Sequence, residues 1–457
     1  MLFQELIDAV PDYKVFLTVD ELDESTKKLA KDYPDAVTLI NLGASTNGSP
    51  IYCLKIGDGP VNALAFACPH PNEPIGATTL HYFSSLLAQN KELLDTLGCT
   101  WYIIKCADPD GTRLNEGWFK GPFTLLNYAR DYYRPIMNRQ VEWTFPIDYK
   151  NLHFHSPIPE TQALMRLIDE IKPKCMFSLH NAGFGGAFWY VSKNKPEVYS
   201  KLPEIAGKYG VPLLLGEPEM PCCEQYIPAV YRMFDIQDMY DYYEQYVCSQ
   251  PEKLINSGTS SDGYANTIGN TFTVVSELPY FFDPRVNDTS LTEIIRRDAI
   301  VQGCEIFETT CAVLKDGLNQ VGGYIPDDNP FKLMMQDFVA AVEIDYAAKK
   351  SWALTNEEVN VPAKTCDVFD NLYGSRFCSL IYLGGFVRML RDELKKPCSD
   401  EKKAALEAAL TAGNAMLEAN GQALENDVDY KVIPIRNLVS IQLESIFTTV
   451  TNLMDSE

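Results

Sequence analysis

Histidine is scarce in this chain: five residues in 457, at positions 70, 81, 153, 155 and 180. An imidazole-based metal centre therefore has few places to be, and each histidine has to be weighed individually. Positive charge is also in short supply, with 39 Lys and Arg against 62 Asp and Glu and a formal net charge of -23. A field of that sign repels nucleic acid and anionic membrane surfaces, so neither is expected as a partner. No apolar run approaches the roughly 20 residues that span a bilayer. The start, MLFQELIDAVPDYKVF, has no basic n-region and no apolar h-region, so no secretory signal is expected. The 13 cysteines form no Cys-x-x-Cys pair, and their odd number offers no even framework. Cys222 and Cys223 are adjacent, which is poor geometry for pairing with each other. Free thiols in a reducing cytoplasm are the expectation.

What remains is ordinary globular material. Hydrophobic residues make up 46% and charged residues 22% of the chain, enough for a sizeable core. A helix is expected over Val19 to Tyr33, closed by Pro34, and a strand pair over Val37–Leu42 and Pro50–Ile56 around the turn Ser45-Thr46-Asn47-Gly48. Four almost continuously apolar runs follow: Val61 to Cys68, Trp101 to Cys106, Cys175 to Leu179 and Thr271 to Ser276. Such runs read as central parallel strands buried on both faces. They end at His70, Asp108, His180 and Glu277, and in open α/β sheets ligands bind beyond the carboxyl ends of strands. After about residue 320 the strand signals thin out. Phe331–Lys349, Ser399–Ala419 and Ile433–Met454 read as helices, with Ser399 or Asp400 as a cap. The expected fold is α/β, a mixed and largely parallel sheet flanked by helices. The expected division is a catalytic domain at 1–319 and a helical C-terminal extension at 320–457.

Three pieces of sequence carry chemistry. Pro69-His70-Pro71-Asn72-Glu73-Pro74 offers imidazole nitrogen and carboxylate oxygen, both suited to zinc, in a loop after a buried strand. Alone, His-x-x-Glu is weak, since a single histidine is more often an ordinary hydrogen-bonded residue. His180, at the end of the third run, supplies a third ligand or merely caps a turn. Glu277 ends the fourth run, where an ionisable group is costly to desolvate unless it has a partner or a task. It is either a base beside an activated water or the partner of a nearby arginine such as Arg285. His153 and His155 alternate in a strand-like stretch and read as structural. Gly185-Gly186 reads as a turn rather than a phosphate cradle.

The order and surroundings of these pieces resemble the zinc carboxypeptidase family, the carboxypeptidase A-like or funnelin metallopeptidases. The resemblance runs over about residues 15–290. It begins at Phe16-Leu17-Thr18-Val19-Asp20-Glu21-Leu22 and takes in the hairpin from Gly43 to Ile51. His70-x-x-Glu73 is similar to the family's first two zinc ligands. Asp108-Pro109-Asp110-Gly111 resembles its Asn-Pro-Asp-Gly turn, and Pro159-Glu160-Thr161 resembles the segment that opens a helix before the third ligand.

The resemblance implies one zinc ion per chain, held by His70, Glu73 and His180, with Glu277 as catalytic base. It also implies an arginine that supports the oxyanion, and Arg113, Arg130, Arg134 and Arg139 all lie where the family's arginines occur. Arg113 follows the Asp-Pro-Asp-Gly turn, and Arg130 and Arg134 stand four apart on a helical stretch. The family's Asn-Arg pair for a terminal carboxylate is missing from Val141-Glu142-Trp143-Thr144-Phe145-Pro146, with Asn138-Arg139 just upstream as a substitute. The family's mobile-loop tyrosine has Tyr264 as its nearest candidate. Asp262, an acid shortly before Glu277, points to a basic group in the specificity pocket. The implied activity is hydrolysis of an amide bond near the C-terminus of a peptide. An amidase or deacylase acting on a small N-acyl or isopeptide substrate is the alternative, and a non-catalytic zinc- or peptide-binding protein is the third. The sequence carries no mark of oligomeric state.

Overall fold

The computed structural model describes residues 2–455. Its centre is a nine-stranded mixed sheet. In chain order the strands are β1 (Val37–Ala44), β2 (Pro50–Ile56), β3 (Val61–Ala67), β4 (Cys99–Ile104), β5 (Cys175–His180), β6 (Phe188–Val191), β7 (Gln225–Ile227), β8 (Val230–Arg232) and β9 (Phe272–Glu277). Across the sheet they run β1-β2-β4-β3-β5-β9-β6-β8-β7. The four in the middle, β4, β3, β5 and β9, are mutually parallel. β5 and β9 are buried along their whole length, as is most of β3. This is why their sequences are apolar without alternation.

Helices cover both faces. They include α1 (Val19–Asp32), α2 (Ile75–Gln89), α3 (Leu125–Asp131), α4 (Pro159–Ile171), α5 (Ser261–Ile268), α6 (Arg296–Val321), α7 (Ser375–Glu393), α8 (Asp400–Asp427) and α9 (Ile435–Asp455). Thr18 and Glu21 close a reciprocal cap on α1: the Thr18 hydroxyl accepts from the Glu21 amide at 3.3 Å and Glu21 accepts from the Thr18 amide at 2.7 Å. Ser399 caps α8, accepting from the Lys402 amide. The expected helix over Phe331–Lys349 is present but interrupted. Pro330–Ala341 and Ala347–Thr355 flank a π-helical turn at Val342–Tyr346, and a second π-turn, Phe369–Gly374, leads into α7.

The helices beyond residue 320 share one core with the sheet. Phe447 of α9 stacks on Phe3 at 4.6 Å and meets Phe83 of α2 edge-on at 5.9 Å. Leu438, Val439, Ile441, Leu443, Ile446 and Leu453 are all buried in the same cluster as Leu80 and Trp101. α7 lies so close to α3 that a β-carbon on Gly384 would fall on the Ala129 carbonyl. No described helix is long and apolar enough to cross a membrane.

Candidate metal centre and its cavity

Strand register brings the first two groups together. β5 and β9 pair in parallel with His180 opposite Glu277, so both side chains leave the sheet at the same edge. β3 ends one strand over, and its loop, 68–74, carries His70 and Glu73. That loop is pinned from three sides. The Tyr280 hydroxyl lies 3.0 Å from the Asn72 carbonyl and 2.9 Å from Asn181 Oδ1, its one proton shared between the two acceptors. Asn181 Oδ1 also accepts from the Ile75 amide, and its Nδ2 donates to the Leu278 carbonyl. At Gly76, the start of α2, an added β-carbon would lie 2.6 Å from Leu179 Cβ, so only glycine lets the helix begin this close to β5.

His70, Glu73 and His180 offer ligand atoms that all lie within 4.8 Å of one another, and all three residues are buried. His180 Nδ1 stands 3.1 Å from His70 Nδ1 and 2.9 Å from Glu73 Oε2. His70 Nδ1 stands 3.2 Å from Glu73 Oε1. The two facing imidazole nitrogens can share one proton, but Glu73 Oε2, buried beside them, is left with no hydrogen-bond partner. A cation among these lone pairs would give that oxygen a partner, so the donor set fits zinc: two nitrogens and a carboxylate, with a fourth side open to the cavity.

The electrostatics point the same way. Burial, reinforced by the Arg134 charge, pushes His70 down to about 4. Burial also works against charge on His180, yet Glu73, Glu142 and Glu277 outweigh it and hold the ring well above the usual histidine range. The three carboxylates thus create a place for positive charge beside His180. Glu73 is held below the carboxylate range by the two histidines despite its burial. Glu277 Oε1 lies 3.7 Å from His180 Nδ1. Its carboxyl is pushed well above the usual range by burial, with Glu73 and Glu219 adding to the effect against the charges of His180 and Arg134.

Of the four candidate arginines, the structure brings Arg134 to this cluster. Its Nη2 is 2.9 Å from the His70 ring nitrogens and its Nη1 3.5 Å from Glu73 Oε1. The side chain remains 33% exposed because it faces the cavity. It is not on a helix with Arg130. α3 ends at Asp131, and Pro135 disfavours the helical conformation at Arg134, turning the chain inward. Arg130 is engaged elsewhere by Glu418 of α8, and Arg113 is held at the surface by Asp20 at 2.7 Å. Asn138 and Arg139 sit on a single 3-10 turn, Met137–Arg139, with Arg139 exposed, and neither lines the cavity. Tyr264 points away, its hydroxyl on Asp169 of α4 at 2.8 Å. Arg285 takes Asp283 in a two-pronged contact, not Glu277. His153 and His155 both meet Asp148 at the surface.

Sequence reasoning passed over Glu142 as a positioning group. Its carboxylate accepts from the Ser178 hydroxyl at 2.7 Å, the Ser261 amide at 2.8 Å and the Ser261 hydroxyl at 3.1 Å. Ser178 Oγ in turn lies 2.7 Å from His180 Nε2, and Glu142 Oε1 lies 3.6 Å from that nitrogen. Burial opposes charge on Glu142, but His180 first, and then the bonds from Ser178 and Ser261, hold it down to about 2. A carboxylate behind a ligating imidazole fixes the ring and its tautomer. The signal was in the sequence: one acid between the apolar Val141 and Trp143 must have partners.

The cluster forms one wall of a cavity of about 620 Å³. Asp262 lines it, with its carboxyl pushed up to about 7 by burial. The opposite wall is built from the later helices, including Phe307 of α6, Asp345 and Tyr346 of the first π-turn, Asp370 of the second, and Phe377 and Ile381 of α7.

Residues 22–215 match the family model described as zinc carboxypeptidase. Among solved structures the chain is similar to carboxypeptidase A from Helicoverpa armigera, at 15% identity over 61% of this chain and 71% of that one, with a TM-score of 0.38. It is similar to a metallo-carboxypeptidase from Burkholderia cenocepacia at 12% identity over 74% and 70%, TM-score 0.33. It is also similar to the murein-tripeptide amidase MpaA from Escherichia coli O157 at 16% identity over 58% and 89%, TM-score 0.28.

Proposed function

We propose that this cavity is the active site of a zinc-dependent hydrolase that cleaves an amide bond in a short peptide or peptide-like substrate, a reading supported by the match of residues 22–215 to the zinc carboxypeptidase family model. The observation that carries the reading is the convergence of His70, Glu73, His180, Glu277 and Arg134 on one wall of a single cavity. The cavity volume, about 620 Å³, is that of a small-ligand pocket rather than an open groove for folded proteins.

Zinc held by His70, Glu73 and His180 would supply Lewis acidity toward the scissile carbonyl and acidify the attacking water. The remaining work belongs to the chain. Glu277 takes the proton of that water on a carboxylate oxygen and hands it to the leaving nitrogen; burial raises its proton affinity above that of an ordinary carboxyl, which strengthens it as a base. Arg134 donates to the oxygen on which negative charge develops. Glu142, through Ser178, keeps the His180 ring turned toward the other ligands.

Charge in the cavity favours substrates whose scissile amide is not next to a free carboxylate. Arg134 and Lys349 are the cationic side chains among the described lining residues, and Arg139 is outside it. Glu142 occupies the stretch where a carboxylate-reading pair would stand, and a like charge there repels a C-terminal carboxylate. This supports the amidase reading over terminal trimming, with carboxypeptidase action as the second reading.

The deciding experiment incubates the zinc-loaded protein and its Glu277→Gln variant with matched peptides bearing free or amidated C-termini, followed by mass spectrometry. Cleavage of amidated and free forms alike supports the amidase reading. Stepwise trimming confined to free C-termini overturns it in favour of a carboxypeptidase. Turnover by Glu277→Gln removes Glu277 from the role of base.

A further inference from the structure

The cavity wall opposite the metal centre has its own chemistry. Both π-helical turns among the described residues, Val342–Tyr346 and Phe369–Gly374, contribute to it. Such turns bulge out of helices and recur at functional sites. Each aims one carboxylate at the cavity, Asp345 and Asp370.

The two carboxylates differ in their company. Asp370 accepts the Glu217 amide at 2.9 Å and feels the Lys349 charge, while Glu217 is gripped by Arg296 at 2.9 and 2.6 Å. Asp345 has no cationic partner among the described residues: its hydrogen bond comes from the neutral Tyr243 hydroxyl. It interacts instead with another acid, Asp337, whose carboxyl burial and Asp345 together push up to about 6. Beside this pair stands Tyr242, 5% exposed and lining the cavity, whose hydroxyl finds no hydrogen-bond partner. A buried hydroxyl left unpaired is destabilising, so it calls for a partner. Phe307 and Tyr346, 4.2 Å apart, add an apolar surface on the same wall.

One ligand chemistry meets all of these demands. A primary ammonium brings three donors and a positive charge: Asp345 accepts one, the Tyr242 oxygen accepts another, and the aromatic wall covers the alkyl stem. We infer that the π-turn at Val342–Tyr346 builds a second subsite of the catalytic cavity, centred on Asp345 and Tyr242, that takes an alkylammonium group of the substrate. The inference rests on the reading of this cavity as the substrate site, and it adds the substrate class: an amide carrying a free amine away from the scissile bond.

The test is a binding measurement that needs no turnover. The full-length protein is titrated calorimetrically with Nα-acetyl-lysinamide and with Nα-acetyl-norleucinamide, which differ in the terminal amine. The lysine compound is expected to bind at least ten-fold more tightly. Asp345→Asn and Tyr242→Phe should each reduce that ratio several-fold while leaving the norleucine compound unchanged, and Asp262→Asn should preserve it. Equal binding of the two compounds by the wild-type chain overturns the subsite. So does a preference that survives both Asp345→Asn and Tyr242→Phe, or one that disappears with Asp262→Asn instead. Should Asp345→Asn fail to fold, the ligand pair on the wild-type chain and Tyr242→Phe still decide. Hydrolysis without amine preference would leave the catalytic reading standing and remove the subsite, whereas amine preference without hydrolysis would do the reverse.

Discussion

Gln442 of α9 ties the C-terminal helix to the candidate metal centre, and its replacement gives a sharp test of that tie. The side chain is fully buried. Its Oε1 accepts from the Thr79 hydroxyl at 2.7 Å, and its Nε2 donates to the carbonyl of His180 at 3.2 Å. Gln442→Ala would leave a hydroxyl and a carbonyl unpaired in a dry interior, at about 1–3 kcal/mol each, plus the void left by the missing atoms. The expected loss is ~3–5 kcal/mol, a large share of the 5–15 kcal/mol typical of a folded chain. Gln442→Met keeps most of the volume and isolates the hydrogen-bond part, so it should still lose ~2–4 kcal/mol. Denaturant melts give the stability change, and zinc competition against a chelating dye reports whether His180 has loosened. A change below ~1 kcal/mol in both variants, with zinc affinity intact, would refute the argument that α9 holds the ligand strand in place.

Four further expectations follow from the same geometry. His70→Ala and His180→Ala should each abolish stoichiometric zinc by elemental analysis, and retained zinc would refute the ligand set. Arg134→Ala should lower kcat by about 10²–10³, the usual loss of one oxyanion donor, while Arg113→Ala and Arg130→Ala stay within a few-fold in steady-state assays. Lys105 is buried, hydrogen-bonded to Ser25 at 3.1 Å, and pushed down to about 7 by burial. Below pH 7 the folded chain carries this buried charge, whereas between pH 7 and about 10.4 the unfolded chain alone keeps the proton, so the residue's contribution to stability rises with pH. Lys105→Met should therefore exceed wild type most at pH 7 and lose up to ~4 kcal/mol of that advantage by pH 10, as read by denaturant melts at the two pH values. A fragment of residues 1–319 should be insoluble or fail to melt cooperatively, because it exposes the faces of α2 and α3 that α9 and α7 cover.

The parts of the site that were legible in the sequence are those fixed by strands. A strand buried on both faces is apolar throughout, so a polar residue at its end stands out, and His180 and Glu277 did. The arginine was not legible by the same route. Arg113, Arg130 and Arg134 differ only in what they meet across the fold, and neither Asp20 nor Glu418 is close to its partner in sequence. One local signal was available: Arg134 precedes Pro135, and a residue before proline leaves the helix. Tyr264 is the nearest tyrosine to the loop some twenty residues before Glu277 where the family's tyrosine stands, whereas tyrosines from other parts of the chain, Tyr242 and Tyr243 of an earlier helix among them, reach the cavity.

The later helices were legible as helices and not as a wall of the cavity, and the reason is physical. Amphipathic spacing fixes which side of a helix is buried but says nothing of what it is buried against. Gly384 is a case in point: within α7 it reads as a weak spot, and only in the fold is it the place where two helices nearly touch. The π-turns are less visible still, since one extra residue in a helical turn leaves composition unchanged. Yet they decide the chemistry. Without the turn at Val342–Tyr346, the residues after Ala341 would continue the helical phase, and Asp345 would rotate away from Tyr242 by roughly the 100° that one residue spans in an α-helix. Deleting one residue within that turn should therefore keep the helix, the zinc and the turnover of uncharged substrates while erasing any preference for an amine, and a preference that persists would place its origin at another acid of the cavity.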